Sequence, residues 1–153
     1  MFINNCPKVV SFSERRFVFE TFCNKLMLSK EWVLHGLACL SQLEIEGGCK
    51  NVVLFLEENL LPNNLKSLRI SGLLNLKNLN YKGLQHLTDL RTLEISCCNR
   101  LWSLPEEGLP SSLSFLCIKE CSLLKSKLQN KTGNDWSNIA HIACIEIDEE
   151  VIS

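Results

Sequence analysis

The sequence predicts an α/β solenoid: short parallel strands stacked in chain order, each returning through a mostly irregular segment. Two observations predict it. The first is a phrase, Leu-x-x-Leu-x-Ile, found at Leu40–Ile45, Leu65–Ile70, Leu90–Ile95 and Leu113–Ile118, and with Ile for Leu at Ile142–Ile147. Its last residues follow one another at steps of 25, 25, 23 and 29. The second is the sequel. Three residues after the Ile comes Leu73, Cys98 or Cys121, and three further on comes Leu76, Leu101 or Leu124. A period in the twenties with this phrase marks a leucine-rich repeat, whose turns bury their apolar side only by stacking. The expected fold is a fragment of a leucine-rich-repeat horseshoe, with its strands on the concave face.

Residues 1–39 read as degraded repeats. Ile3-x-x-Cys6-x-x-Val9 has the spacing of a repeat's end, and Phe17-x-Phe19-x-x-x-Cys23-x-x-Leu26 that of a worn repeat. No cap is visible there, so the first core layer is expected to be bare, as in a chain truncated upstream. Regular repeats fill 40–124, with strands expected at Ser41–Glu46, Lys66–Ser71, Arg91–Ser96 and Ser114–Lys119. One residue is inserted after Ile45, which moves the slots to Cys49 and Val52. Residues 125–153 read as a capping segment: a basic stretch from Lys125 to Lys131, Trp136 and Ile139 over the open core, and a last strand Ala143–Asp148.

Between strands, Pro62, Pro105 and Pro110 deny the return segments a long helix. Gly36-Leu37-x-x-Leu40 and Gly83-Leu84-x-x-Leu87-x-x-Leu90 suit a single helical turn leading into the next strand. Trp32 and Trp102 are expected to pack along the convex side.

Alternation along each strand sends Leu and Ile inward and their neighbours outward, and stacking turns those neighbours into columns. The central column reads Glu44, Arg69, Glu94, Cys117, Glu146. The column before it reads Gln42, Ser67, Thr92, Phe115, Cys144, and the one after it Glu46, Ser71, Ser96, Lys119, Asp148. Five acids against two bases make this face more acidic than the chain as a whole. It is the candidate partner-binding surface, and Arg69 is expected to bridge Glu44, Glu94 or both.

The chain has 153 residues and a net charge of −1, which argues against a nucleic-acid partner. No apolar run approaches the ~18 residues of a membrane span, and the N-terminal residues lack the pattern of a signal peptide. A cytoplasmic or nuclear location is the expectation. Of nine cysteines, Cys6, Cys23, Cys49, Cys98 and Cys121 share one repeat slot and read as small, reduced, buried residues. No Cys-x-x-Cys pair occurs, and His141-x-x-Cys144 is several turns from His35-x-x-x-Cys39, so no metal site is expected.

Three stretches carry a family resemblance: Gly83 to Ser96 (GLQHLTDLRTLEIS), Leu104 to Leu116 (LPEEGLPSSLSFL) and Asp135 to Asp148 (DWSNIAHIACIEID). They resemble the end of plant intracellular immune receptors, the nucleotide-binding leucine-rich-repeat disease resistance proteins of the coiled-coil class. Cys-x-x-Leu after the strand is shared with that family. The resemblance implies a non-catalytic module that senses a pathogen effector or a guarded host protein and restrains an upstream nucleotide-binding domain. It does not carry nucleotide binding to this chain. Gly47-Gly48-Cys49-Lys50 lacks the Gly-x-x-x-x-Gly-Lys-[Ser/Thr] spacing that cradles phosphates, so no cofactor is expected.

Other readings are weaker. His35, His86 and His141 fall in different repeats, and the Glu106-Glu107 and Asp148–Glu150 acids sit in loops without an apolar pocket, so no enzyme is expected. A leucine-rich-repeat substrate adaptor or generic interaction scaffold is the alternative, but an adaptor-binding helical motif is missing. An extracellular receptor would explain the Asn130-Lys131-Thr132 sequon, but not the lack of a signal peptide.

Overall fold

Leu-x-Ile pairs from successive copies of the phrase can share one apolar layer only if their strands lie side by side in register. They do. A computed structural model describes residues 8–13, 16–21, 40–47, 54–55, 61–131 and 133–152. Its elements are β1 (Lys8–Ser13), β2 (Arg16–Thr21), β3 (Gln42–Gly47), β4 (Leu54–Phe55), β5 (Ser67–Ser71), β6 (Asn78–Leu79), α1 (Tyr81–Gln85), β7 (Thr92–Ser96), β8 (Phe115–Lys119), α2 (Ser122–Leu128), α3 (Gly133–Ser137), β9 (Cys144–Ile147) and β10 (Glu150–Val151). The main sheet runs β1-β2-β3-β5-β7-β8-β9-β10, and β4 pairs with β6 in a small second sheet. Strands β2 to β9 of the main sheet are parallel, while β1 and β10 fold back antiparallel. This is a mixed sheet, mainly parallel, with few short helices: an α/β arrangement.

Register follows the phrase. Leu43, Leu68, Leu93, Leu116 and Ile145 align, as do Ile45, Ile70, Ile95, Ile118 and Ile147. Leu68, Ile70, Leu73 and Leu76 are fully buried, and the same slots one turn on, Leu93, Ile95, Cys98 and Leu101, are at most 1% exposed. Each Leu or Ile so buried contributes about 1.5–3 kcal/mol. The two slot thiols point at carbonyls near their own strand ends: Cys98 Sγ lies 3.3 Å from Ser96 O, and Cys121 Sγ 3.3 Å from Lys119 O.

Phe17 and Phe19 of β2 align with Leu43 and Ile45 of β3. β1 turns back on β2, with a register shift between Val9 and Ser11. Val9 therefore belongs to an edge strand and not to a return segment. Ile3, Cys6, Cys23, Trp32, His35, Gly36, Cys39, Cys49 and Val52 lie outside the described residues.

Among the described residues the helices fall in return segments that contain no proline, and the segments with Pro62, Pro105 and Pro110 show none. Helix α1 forms at the expected Gly83-Leu84 turn, and Asn80 caps it by accepting from the Lys82 amide at 3.0 Å. Helix α2 occupies the stretch read as polar and basic. Its Leu124 and Leu128, four apart, are fully buried and hold one face of the helix on the core. Ile139 is fully buried at the C-terminal end, with Trp136 packed against the same core. Trp102 departs from expectation: it is 48% exposed, under the ammonium of Lys127 at 4.4 Å. Among the described residues no helix is long and apolar enough to cross a membrane.

A second periodicity runs in the backbone. Two residues after the strand's Ile the chain enters the left-handed region: Gly72 at φ 70°, Cys97 at 53°, Glu120 at 51° and Glu149 at 71°. The amides of Gly72 and Cys97 then reach the end of the next strand, at Ser96 O and Lys119 O, both at 3.0 Å. Only one of the four is glycine, and there a Cβ would come within 2.7 Å of Gly47 O. At the C-terminal end Asp148 (φ 46°) and Glu149 form a two-residue hairpin between β9 and β10. The last strand thus stops at Ile147, and Asp148 belongs to a turn with both central residues at positive φ.

Two outcomes follow. Gly72→Ala should cost more than the ~1–2 kcal/mol left-handed penalty alone, because its methyl also meets Gly47 O. Glu149→Gly makes the turn Asp-Gly and should stabilise by about 0.5–1 kcal/mol. Denaturant unfolding of each variant measures both.

Candidate partner-binding face

The outward residues of β3, β5, β7, β8 and β9 fall into the expected columns. Glu44, Arg69, Glu94, Cys117 and Glu146 are register partners in turn, as are Gln42, Ser67, Thr92, Phe115 and Cys144. In the third column Glu46, Ser71, Ser96 and Lys119 are aligned, and Asp148 is not. It sits one residue past β9 in a left-handed turn, where its amide donates to Ile118 O at 2.9 Å.

Arg69 bridges both of its neighbours. Its Nε donates to Glu94 at 2.9 Å and a terminal nitrogen lies 2.7 Å from the same carboxylate; the other terminal nitrogen reaches Glu44 at 3.3 Å. Glu44 is 8% exposed, while the Arg69 side chain is 48% exposed. Hydrogen bonding to Glu94 first, and to Glu44 after it, raises the guanidinium's already high pKa, so its charge is permanent. Such an exposed bridge contributes only ~0–1 kcal/mol to stability. Gln42, Leu43, Glu44, Ser67, Arg69 and Glu94 bound a shallow hollow of about 180 Å³.

Further along, Lys119 pairs with Glu146 at 3.4 Å. Cys117, outward by alternation, is nevertheless buried because its short side chain is sunk between Glu94 and Glu146. That burial, and then the Glu146 charge, pushes its thiol up. Phe115 and Cys144 are half-buried and give this end of the face an apolar, uncharged patch. The slot thiols of Cys98 and Cys121 are free, and contact with Cys98 followed by burial pushes Cys121 up. Among the described residues no group of three or more His, Cys, Asp or Glu is placed to hold a metal ion.

Several working contacts had no clear sequence signal. Asp148 accepts from Lys125 Nζ at 2.6 Å and from the Glu120 amide at 2.8 Å, which ties the last turn to α2. Asn138 Nδ2 donates to Pro105 O and Glu106 O, at 3.2 and 2.9 Å, and latches the capping segment onto the preceding return loop. A basic run and a lone Asn predict surface, not partners. His141 lies 3.3 Å from Pro110 O, a packing contact on the return side.

With this geometry in place, comparison with known proteins gives the class first: the chain is disease-resistance-like over nearly all its length. It is similar to an Arabidopsis thaliana protein named "putative disease resistance protein", at 40% identity over 141 residues and 92% of the chain. The chain spans 10% of that protein's length. No family model matches it, and no solved structure does.

Lys125, and then the Glu120 amide, hold the Asp148 carboxyl below the ordinary range. Its stabilisation is present above the unfolded value and lost as pH falls through the lower folded one. Asp148→Asn should lower the melting temperature at pH 7, and the deficit should fade below about pH 4. Cys98→Ser and Cys121→Ser should each cost about 1–3 kcal/mol, since each disturbs an apolar layer. Both thiols should resist labelling in native protein and react on unfolding.

Proposed function

We propose that this chain is the leucine-rich-repeat recognition region of a plant intracellular immune receptor, of the coiled-coil nucleotide-binding class. On this reading its turns stack as a solenoid. It performs no catalysis and takes no cofactor. Its partner is a protein, either a pathogen effector or a guarded host protein, met in the cytoplasm or nucleus on the strand face. In such a receptor the same region would also hold an upstream nucleotide-binding switch inactive until recognition.

The observation that carries the proposal is the register of the sheet. Five copies of one phrase lie side by side, so the variable outward residues form a continuous surface on a constant apolar scaffold. Such an arrangement lets surface chemistry change without disturbing the fold, which suits recognition. The likeness to a plant disease resistance protein supplies the defence context.

Arg69 is the residue on which this reading is staked. Its planar guanidinium offers a two-pronged donor that lysine cannot imitate, and a partner's carboxylate can compete for it with Glu44 and Glu94. Arg69→Glu and Glu94→Lys should be made in the full-length receptor that this reading calls for and expressed in leaf tissue. The expected outcome is unchanged protein abundance with a lost or altered defence response. Parental responses from both variants would place recognition elsewhere.

A further inference from the structure

Three bulges that follow the strands carry bases and no acid. Between the buried slots of successive turns the chain bulges outward on one flank: residues 74, 75 and 77 after β5, 99, 100 and 102 after β7, and 122, 123 and 125–127 after β8. The preceding strands are register partners, so these bulges run side by side, and the Trp102 amide reaches Lys77 O of the turn before at 3.4 Å. No acid occurs in residues 73–85, 98–104 or 121–131. The flank instead presents Lys77, Arg100 and Lys127, all exposed. It also carries Leu74 at 44%, Trp102 at 48% and Leu123 at 48%, three of the four large exposed apolar residues among those described.

Exposed apolar side chains set among like charges mark a surface built to be covered. We propose that this flank, centred on Leu74, Trp102 and Leu123 and flanked by the bases Lys77 and Arg100, docks an acidic amphipathic segment of a partner protein. The apolar trio supplies the buried centre of the contact and the bases its charged rim, the usual anatomy of a protein interface. The inference is independent of the sheet face, which is acidic and takes its own partner.

Two other anionic surfaces fit less well. A lipid surface is drawn by clusters of ~4–8 free bases. Here Lys125 and Lys127 are held by Asp148 and Asp135, at 2.6 and 3.4 Å. A nucleic acid would stack a base on the indole, but Lys127 lies over that ring at 4.4 Å. An acidic helix with apolar residues on one face answers both features at once.

The test uses the 153-residue chain and a fluorescent synthetic helix with Leu on one face and Glu elsewhere. A Lys-for-Glu helix, vesicles of phosphatidylserine and phosphatidylcholine, and single-stranded DNA are the competitors. The Glu helix should bind with an affinity that falls as salt rises, and the Lys helix should not bind. The pair Lys77→Glu and Arg100→Glu should weaken binding at least tenfold, and Trp102→Ala should do the same. Neutral Lys77→Gln with Arg100→Gln, checked by circular dichroism, should give an intermediate loss in a folded protein. No binding of the Glu helix, equal binding by the flank variants, or tighter binding of vesicles or DNA would overturn the proposal.

Discussion

Parallel strands held about 4.8 Å apart by their backbone hydrogen bonds are the constraint on which the rest depends. Once β3, β5, β7, β8 and β9 pair in register, every side chain is stacked on its counterpart one turn away. A slot that is apolar in one turn must then be apolar in the next, or it buries a polar group without a partner. This is why Leu73, Cys98 and Cys121 can differ in chemistry and size while sharing burial. The same constraint places Arg69 between two carboxylates. Its alignment with Glu44 and Glu94 is set by the backbone, and the ion pairs form as a consequence.

Stacking also sorts charge. With a net charge of −1 the chain looks neutral, yet Glu44, Glu46, Glu94 and Glu146 outnumber Arg69 and Lys119 on the sheet face, while Lys77, Arg100 and Lys127 lie on the flank that follows the strands. Neither surface perturbs the core, because each occupies slots that the period leaves outward. The two are joined at one place, where Lys125 of α2 meets Asp148 beyond β9. That contact fastens the final hairpin to the capping helix, and its exposure makes it a fastening that pH can loosen.

The strand positions and inward slots were legible because they rest on a repeated phrase, in which an error in one copy is corrected by the other four. The Arg69 bridge was legible for the same reason. Features that occur once were not. The β9–β10 hairpin was hidden because its turn is Asp148-Glu149, lacking the glycine that usually announces two positive φ values. The β1–β2 hairpin was hidden because Phe17-x-Phe19 reads as a repeat while Val9 gives no sign of reversing direction. Trp102 was assigned to packing from its apolar ring; its slot projects outward, and Lys127 covers one face of it instead. Helix α2 was masked by four lysines between Lys119 and Lys131, although its Leu124 and Leu128 carry the helical spacing.

In-register pairing of β5 with β7 can be measured directly by cross-linking. Ser67 and Thr92 are partners in adjacent strands, and Ser67 and Phe115 are two strands apart. Cysteines at parallel partner positions, with Cα atoms about 4.8 Å apart, meet the ~4.4–6.8 Å window for a disulfide, and those two strands apart do not. Under mild oxidation of the folded monomer, Ser67→Cys with Thr92→Cys should cross-link within the chain, and Ser67→Cys with Phe115→Cys should not bond to each other. Cross-linking of the second pair in place of the first would contradict the stacked register, and with it both surfaces that the register builds.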